Sequence, residues 1–250
     1  MAPTLILIRH AQALHNVDRD YSLHDPPLSK LGHEQCQRLQ EHLRTHQPLA
    51  AQIEYIVASP MRRTLQTMQE SLEWLMQKGI KAETDARWQE NSDKPCDTGS
   101  SVSTMKQEFA ELASSGSLDT IDPDYPSKDG QYAFTQPAVI GRGMSALADL
   151  RKRPEKVIAV VSHSGFLRTA IGQAQWNNAD YRVYEFTGSN EYGLVLKEWK
   201  ETEEKGGGLS ISEKGKAPIV KGDFPEERVE KVRESLGEQA QGETTKELPN

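Results

Sequence analysis

TLILIRH, residues 4–10, is the stretch on which the reading of this chain turns. Residues 4–8 are apolar or β-branched without alternation, and the run is too short for a helix. That pattern fits a strand buried on both faces, as in a parallel sheet. It stops at a charged pair, Arg9-His10, so polar chemistry begins where the strand ends. The same design returns twice. Residues 54–58 (EYIVA) run into Ser59-Pro60, and proline is favoured in a helix's first turn. Residues 156–161 (KVIAVV) run into Ser162-His163-Ser164-Gly165, a tight turn that opens a helix near 166–172.

Amphipathic segments fill the gaps between these runs. Ser29 is placed to cap a helix over 30–46, which sets Leu31, Gln35, Leu39 and Leu43 near one face with Cys36 beside it. A second helix is expected over 61–78, with Leu65, Met68, Leu72 and Leu75 inward and Gly79 as its stop. A strand is expected over 81–86. Residues 91–136 read as an insert rich in Ser, Asp, Gly and Pro, with one helix over 102–113. A helix over 137–152 is closed by Pro154, and 181–186 with 193–199 form a closing hairpin. Strands alternating with helices predict an α/β fold, a three-layer sandwich whose mostly parallel central sheet has helices on both faces. In such sheets ligands bind beyond the carboxyl ends of the strands. Arg9-His10, Ser59 with Arg62 one turn on, and His163-Ser164-Gly165 would share that edge.

The edge offers two imidazoles and two guanidiniums. Arginine presents a planar, permanently charged fork that suits phosphate. The turn before residue 166 would add backbone N–H donors and the positive end of a helix dipole. An imidazole in such a cage can attack phosphorus directly. A carboxylic acid must then protonate the leaving alkoxide and later deprotonate water.

Composition limits the partners. The 250 residues carry 30 Lys+Arg against 37 Asp+Glu, a formal charge of −7. Nothing in that balance draws the protein to nucleic acid or to an anionic membrane, so a small anionic substrate needs a local basic pocket. Cys36 and Cys96 have no metal or redox spacing and read as free thiols. The amino-terminal apolar run is too short for a signal peptide, and no stretch approaches the roughly 20 apolar residues of a membrane span. A cytoplasmic protein is therefore expected. After Trp199 the composition changes: residues 200–250 contain one aromatic, Phe224, and are dense in Glu, Lys and Gly. Such a segment buries too little apolar area to offset its ordering entropy. The expectation is a catalytic domain over 1–199 and a charged, mostly disordered, dispensable tail over 200–250, with a transient helix over 226–236.

Taken in order, LILIRHAQALHN (5–16), DPPLSKLGHEQ (25–35), ASPMRRTLQT (58–67), WQEN (88–91) and VVSHSGFLRTAIG (160–172) resemble the histidine phosphatase superfamily. The likeness is to the branch of phosphoglycerate mutases, bisphosphatase domains and broad-specificity phosphatases, and it covers about residues 4–187. It implies that His10 is the phosphorylated nucleophile and that Arg9 and Arg62 clamp phosphate. It implies that His163 and Asn16 bind phosphoryl oxygens, that Glu90 is the acid/base, and that Ser164 sits at the helix start beside the second histidine. Ser22 and Leu23 fall in a loop at the entrance. Arg63 reads as a solvated helix residue. His15 is open between site and scaffold, His24 belongs to a loop, and His33, His42 and His46 belong to the first long helix.

Two departures stand out. The family's usual Arg-His-Gly is Arg-His-Ala here, so a positive φ at Ala11 would be costly. No arginine lies between Arg87 and Arg142, only Lys94, Lys106 and Lys128. Mutases carry arginines in this insert, so their absence turns the reading from a mutase and from polyphosphorylated substrates toward hydrolysis. The function expected is hydrolysis of a small-molecule phosphate ester through a phosphohistidine, with no metal and no cofactor. The alternatives are mutase-type phosphoryl transfer, or a biosynthetic phosphatase acting on an organic phosphate or diphosphate such as an isoprenoid one. Phe109, Tyr125, Tyr132 and Phe134 in the insert hint at an organic leaving group. A metal hydrolase built on His10, His163, His24 and Asp25 would lack the usual HExxH or His-x-His spacing.

Overall fold

The structure is a computed structural model and describes residues 1–190, 193–205, 207, 212 and 215–225. In chain order it runs β1 (Thr4–Arg9), α1 (Leu14–Val17), α2 (Lys30–His46), β2 (Tyr55–Ala58), α3 (Arg62–Met76), β3 (Lys81–Thr84), α4 (Val102–Glu108) and α5 (Ala110–Ser114). Then come α6 (Gln136–Lys152), β4 (Val157–Ser162), α7 (Ser164–Phe166), β5 (Tyr181–Asn190), β6 (Gly193–Glu198) and α8 (Lys200–Lys205). Among the described residues the strands form one sheet in the order β3-β2-β4-β1-β5-β6. The first four are parallel, and β5 and β6 run antiparallel at one edge. The three apolar runs are neighbours, and β4 lies between β2 and β1 with Val161 opposite both Ala58 and Ile8.

Strand alternation sorts the apolar residues onto two faces. Ile6, Ile8, Ile56, Ala159 and Val161 pack with Leu39, Leu65, Met68 and Leu72 of α2 and α3. Leu5, Leu7, Val57, Ile158 and Val160 pack with Val139, Leu147 and Leu150 of α6. The layered α/β architecture predicted from the strand-helix alternation is the one observed. No helix among the described residues is long and apolar enough to cross a membrane.

Three elements differ from expectation. The insert helix breaks at Phe109, whose φ of −111° and ψ of 57° leave the helical region. The break seats Phe109 in the core beside Met105 and Leu112. The helix over 166–172 is one α turn followed by a π-helical turn, Leu167–Gly172. Gly143 of α6 packs against it so closely that a Cβ there would stand 2.7 Å from the Ala170 Cβ.

The packed body also continues past Trp199, where composition placed its end. Thr202, Ser212, Ala217 and Phe224 are buried. Ala217 N donates to Gln173 O at 2.6 Å, Arg168 pairs with Asp223 at 3.0 Å, and the Phe224 ring meets Phe134 at 5.5 Å. These residues are sparse in sequence, yet each has a partner on the domain, which bulk composition does not register. The helix expected over 226–236 lies outside the described residues.

Candidate active site

His10 follows β1, Ser59 follows β2 and His163 follows β4, so sheet order brings three separate segments to one edge. Backbone bonds hold them in register: His10 N donates to Ser162 O at 2.9 Å and Ser59 N to Val161 O at 3.0 Å. The His10 carbonyl accepts from Ala179 N at 3.1 Å and from Asn178 Nδ2 at 3.3 Å. Its ring Nδ1 lies 2.7 Å from the Ala11 carbonyl. A carbonyl can only accept, so Nδ1 carries the proton and Nε2 keeps its lone pair. Burial holds His10 well below the ordinary imidazole pKa, with Arg63, Arg9 and His15 adding to the effect. Ala11 is not among the residues with positive φ. Its N–H donates to Thr67 Oγ1 at 3.0 Å, so the alanine is accommodated without left-handed backbone.

The guanidinium on His10 belongs to Arg63, not Arg62. Arg63 Nε donates to His10 Nε2 at 3.2 Å, Nη1 to Cys96 O at 2.6 Å, and Nη2 pairs with Asp97 at 3.2 Å. Its exposure is 0%, which overturns the solvated reading. Arg62 turns away: its Nε contacts both carboxylate oxygens of Glu108, at 2.8 and 2.9 Å. Its Nη1 donates to Asp25 O. Successive side chains on a helix point about 100° apart, so only one of the pair can face the sheet edge.

Around His10 stand three further groups. His163 lies 5.2 Å away between ring centroids, with Nε2 on Ser59 Oγ at 2.9 Å. Its Nδ1 has no partner among the described residues. Burial lowers its pKa well below the ordinary value, helped by Arg63, His10 and Lys128. Arg9 sends Nη1 to Trp176 O, and burial lowers its pKa to about 10. His15 is a third imidazole, 6.1 Å from His10 and depressed to about 4 by burial. Asn16 Nδ2 donates to His15 Nε2 at 3.0 Å, and its Oδ1 accepts from Ala13 N at 3.0 Å.

Glu90 lies on the far side of this cluster. Its Oε2 accepts from Gly165 N at 3.1 Å, and its Oε1 from Phe166 N at 2.8 Å and Asn91 N at 2.9 Å. The carboxyl thus sits on the amides of α7, whose first residue is Ser164. A Cβ at residue 165 would stand 2.5 Å from Glu90 Oε1, which is why glycine follows Ser164. Burial, then the charge of Asp97, raises the Glu90 pKa above the ordinary carboxylate value.

The insert closes over the histidines, which are 2% and 0% exposed. Cys96 and Asp97 reach Arg63, Asp97 Oδ2 also takes the Ser92 hydroxyl at 2.6 Å, and Lys128 Nζ reaches the Glu90 carbonyl at 2.8 Å. Burial, and next Arg142, lower the Lys128 pKa to about 7. Sequence reasoning missed Arg63, Asp97, Lys128 and Asn178. Ser22 and Leu23 are exposed, and Ser22 Oγ bonds Asp20 at 2.6 Å. Phe109, Tyr125 and Tyr132 are buried in the core, and Phe134 packs against Phe224. His24 is exposed. Asp25 spends its carboxylate on the amides of Arg62 and Ser100, so the metal set considered from sequence is not assembled.

Comparison with known proteins gives the family and the fold. The histidine phosphatase superfamily (branch 1) matches residues 5–201. A "probable phosphatase" of Schizosaccharomyces pombe is 31% identical, over 66% of this chain and 76% of its own. A "phosphoglycerate mutase-like protein" of Arabidopsis thaliana is 30% identical, over 66% of this chain and 72% of its own. Among solved structures, a mycobacterial hydrolase superposes with a TM-score of 0.50 at 20% identity, covering 79% of this chain and 97% of that one. With its two histidines, its buried arginine and the sheet edge that gathers them, the chain belongs to the histidine phosphatase superfamily, branch 1.

Proposed function

We propose that this protein is a metal-independent phosphatase that hydrolyses a small phosphate ester through a phosphohistidine at His10. The superfamily and its phosphatase-named relative support a phosphoric ester hydrolase; the mechanism is the reading its geometry supports. The observation that carries it is the fixed tautomer of His10, whose unprotonated Nε2 accepts from the Arg63 guanidinium. In the first step Nε2 attacks phosphorus, the phosphorus–oxygen ester bond breaks, and the Glu90 proton goes to the leaving oxygen. In the second, water gives a proton to the Glu90 carboxylate and attacks phosphorus. The phosphorus–nitrogen bond breaks and inorganic phosphate leaves. Arg9, Arg63, His163 and Asn16 surround the phosphoryl oxygens, and Ser164 opens the helix whose amides hold the acid. Fixed donors aimed at developing charge are the main resource of phosphoryl transfer. Arg63 takes the clamp role that sequence reading gave to Arg62.

Brief reaction with labelled substrate should give an acid-labile phosphoenzyme in the wild type and none in His10→Ala, which should also lose turnover. Activity should persist in excess chelator. Substantial turnover by the alanine variant ends this reading. A panel of sugar phosphates, phosphoglycerates, phosphoserine and isoprenoid phosphates would then define the leaving group.

A further inference from the structure

Glu90 belongs to no helix or strand. It follows a short 3-10 turn, Ala86–Trp88, so no regular element of its own fixes the course of its backbone. Lys128 meets the Glu90 carbonyl, and a second side chain gathers the carbonyls of the whole turn. Arg142, on α6, donates Nη1 to Arg87 O at 2.5 Å and to Gln89 O at 2.7 Å. Its Nη2 donates to Glu90 O at 3.3 Å and to Asn91 Oδ1 at 3.2 Å. The guanidinium is 3% exposed, and its partners are oxygens of residues 87–91 rather than a carboxylate. A buried cation is costly unless polar atoms meet it; the oxygens of this turn meet both Nη atoms, while Nε has no partner among the described residues. The guanidinium carbon also lies 4.2 Å from the centre of the Phe166 ring. Phe166 is the residue whose N–H holds Glu90 Oε1.

We infer that Arg142 is a positioning residue of the reaction, fixing the carbonyls of residues 87, 89 and 90 and the Asn91 side chain so that the Glu90 carboxyl stays on the amides of Gly165 and Phe166. The inference rests on the acid/base reading of Glu90. Lysine at 142 keeps the charge but presents a point donor, which can neither span four oxygens nor lie flat on the ring. A purely structural Arg142 would affect stability and leave the choice among leaving groups alone.

The test compares wild type, Arg142→Lys, Glu90→Gln and the double variant as full chains. Substrates are an alkyl phosphate and aryl phosphates of graded leaving ability, and orthovanadate inhibition is measured alongside. Arg142→Lys is expected to lose about 10²-fold in kcat on the alkyl phosphate, the usual penalty for a catalytic group misplaced by about 1 Å. It should lose far less on the most activated aryl ester, with KM and vanadate inhibition unchanged. Water reaching the loosened carboxyl should bring its raised pKa down, moving the alkaline limb for alkyl phosphate to lower pH. The two substitutions should be non-additive, since both remove the same acid. Equal losses on alkyl and aryl esters, full additivity, or loss of vanadate inhibition together with turnover each overturn the inference. If Glu90→Gln itself shows no dependence on the leaving group, the acid reading has failed, and that arm alone identifies the failure.

Discussion

Arg62 and Arg63 carry the same charge into different surroundings, and the difference predicts different behaviour. Arg63→Lys should lower kcat/KM by about 10²–10³-fold, the usual effect of removing one fixed donor from a transition-state cage, and should weaken orthovanadate inhibition. Arg62→Lys should leave both nearly unchanged, because Arg62 serves Glu108 and the Asp25 carbonyl. A larger loss in Arg62→Lys would return the clamp role to Arg62. Glu90→Gln should slow poor leaving groups by about 10²–10⁴-fold and cost activated aryl esters, whose leaving group needs no proton, less in the phosphorylation step. The pH dependence has a definite sign. The acid must be protonated in the first step, and its pKa is raised by burial. Hydrolysis of alkyl phosphate should therefore fall as pH rises through that pKa, once the substrate's own titration is divided out. The aryl ester should stay level. His10, held below the ordinary imidazole value, remains a free base across neutral pH. His10, His163, Arg9 and Glu90 were legible because each ends a strand or closes a short motif. Arg63 was not, because Leu65, Met68 and Leu72 alone set the phase of α3 in the reading. A subtler signal was present in Thr67 and Ser71, small polar residues one and two turns on from Arg63. Thr67 Oγ1 bonds the Arg63 carbonyl at 2.7 Å, marking the polar side of the helix.

The α7 turn holds the acid with backbone rather than side chains, so its sequence is constrained where it looks most tolerant. Gly165→Ala would place a methyl 2.5 Å from Glu90 Oε1, and the carboxyl would have to leave its amides. Turnover of alkyl phosphates should drop by about 10²-fold with the phosphate cage intact, as measured by unchanged vanadate inhibition. A Gly165→Ala enzyme of full activity would show that the amides of Gly165 and Phe166 are not needed. The carboxy-terminal segment makes a second element-level case. Phe224 is 1% exposed against Phe134, so Phe224→Ala should cost about 3–5 kcal/mol and lower Tm on the order of 10 °C. The broken insert helix and this segment were the parts least legible in sequence. In the carboxy-terminal segment, isolated apolar residues without periodicity are placed by distant partners that a local pattern cannot report, whereas the insert keeps helical spacing at Met105, Phe109 and Leu112 and only its backbone breaks.

The sheet order was implied in outline by three apolar runs with polar ends. The neighbours of each strand were not, since nothing local says that β4 enters between β1 and β2. Long-range order also reaches the carboxy-terminal segment. Ser212 bonds the buried Asp180 carboxylate and the amide of Asn177 at 3.0 Å. The same stretch supplies Trp176 O to Arg9 and Ala179 N to His10. A chain ended at Glu201 should therefore lose activity and thermal stability together, while one ended at Pro225 keeps both. Equal activity of the two would show that the segment is dispensable for the site. β1 itself lies between β4 and β5, with Thr4 opposite Val157 and Glu185. Among the described strands β1 is made before both of its neighbours and waits longest for them. Leu5, Ile6, Leu7 and Ile8 emerge as an unpaired, wholly apolar edge while more than half of the molecule is still unmade. At synthesis rates of about 5–20 residues per second, that interval lasts on the order of ten seconds, long enough for a chaperone or another nascent chain to take the edge first.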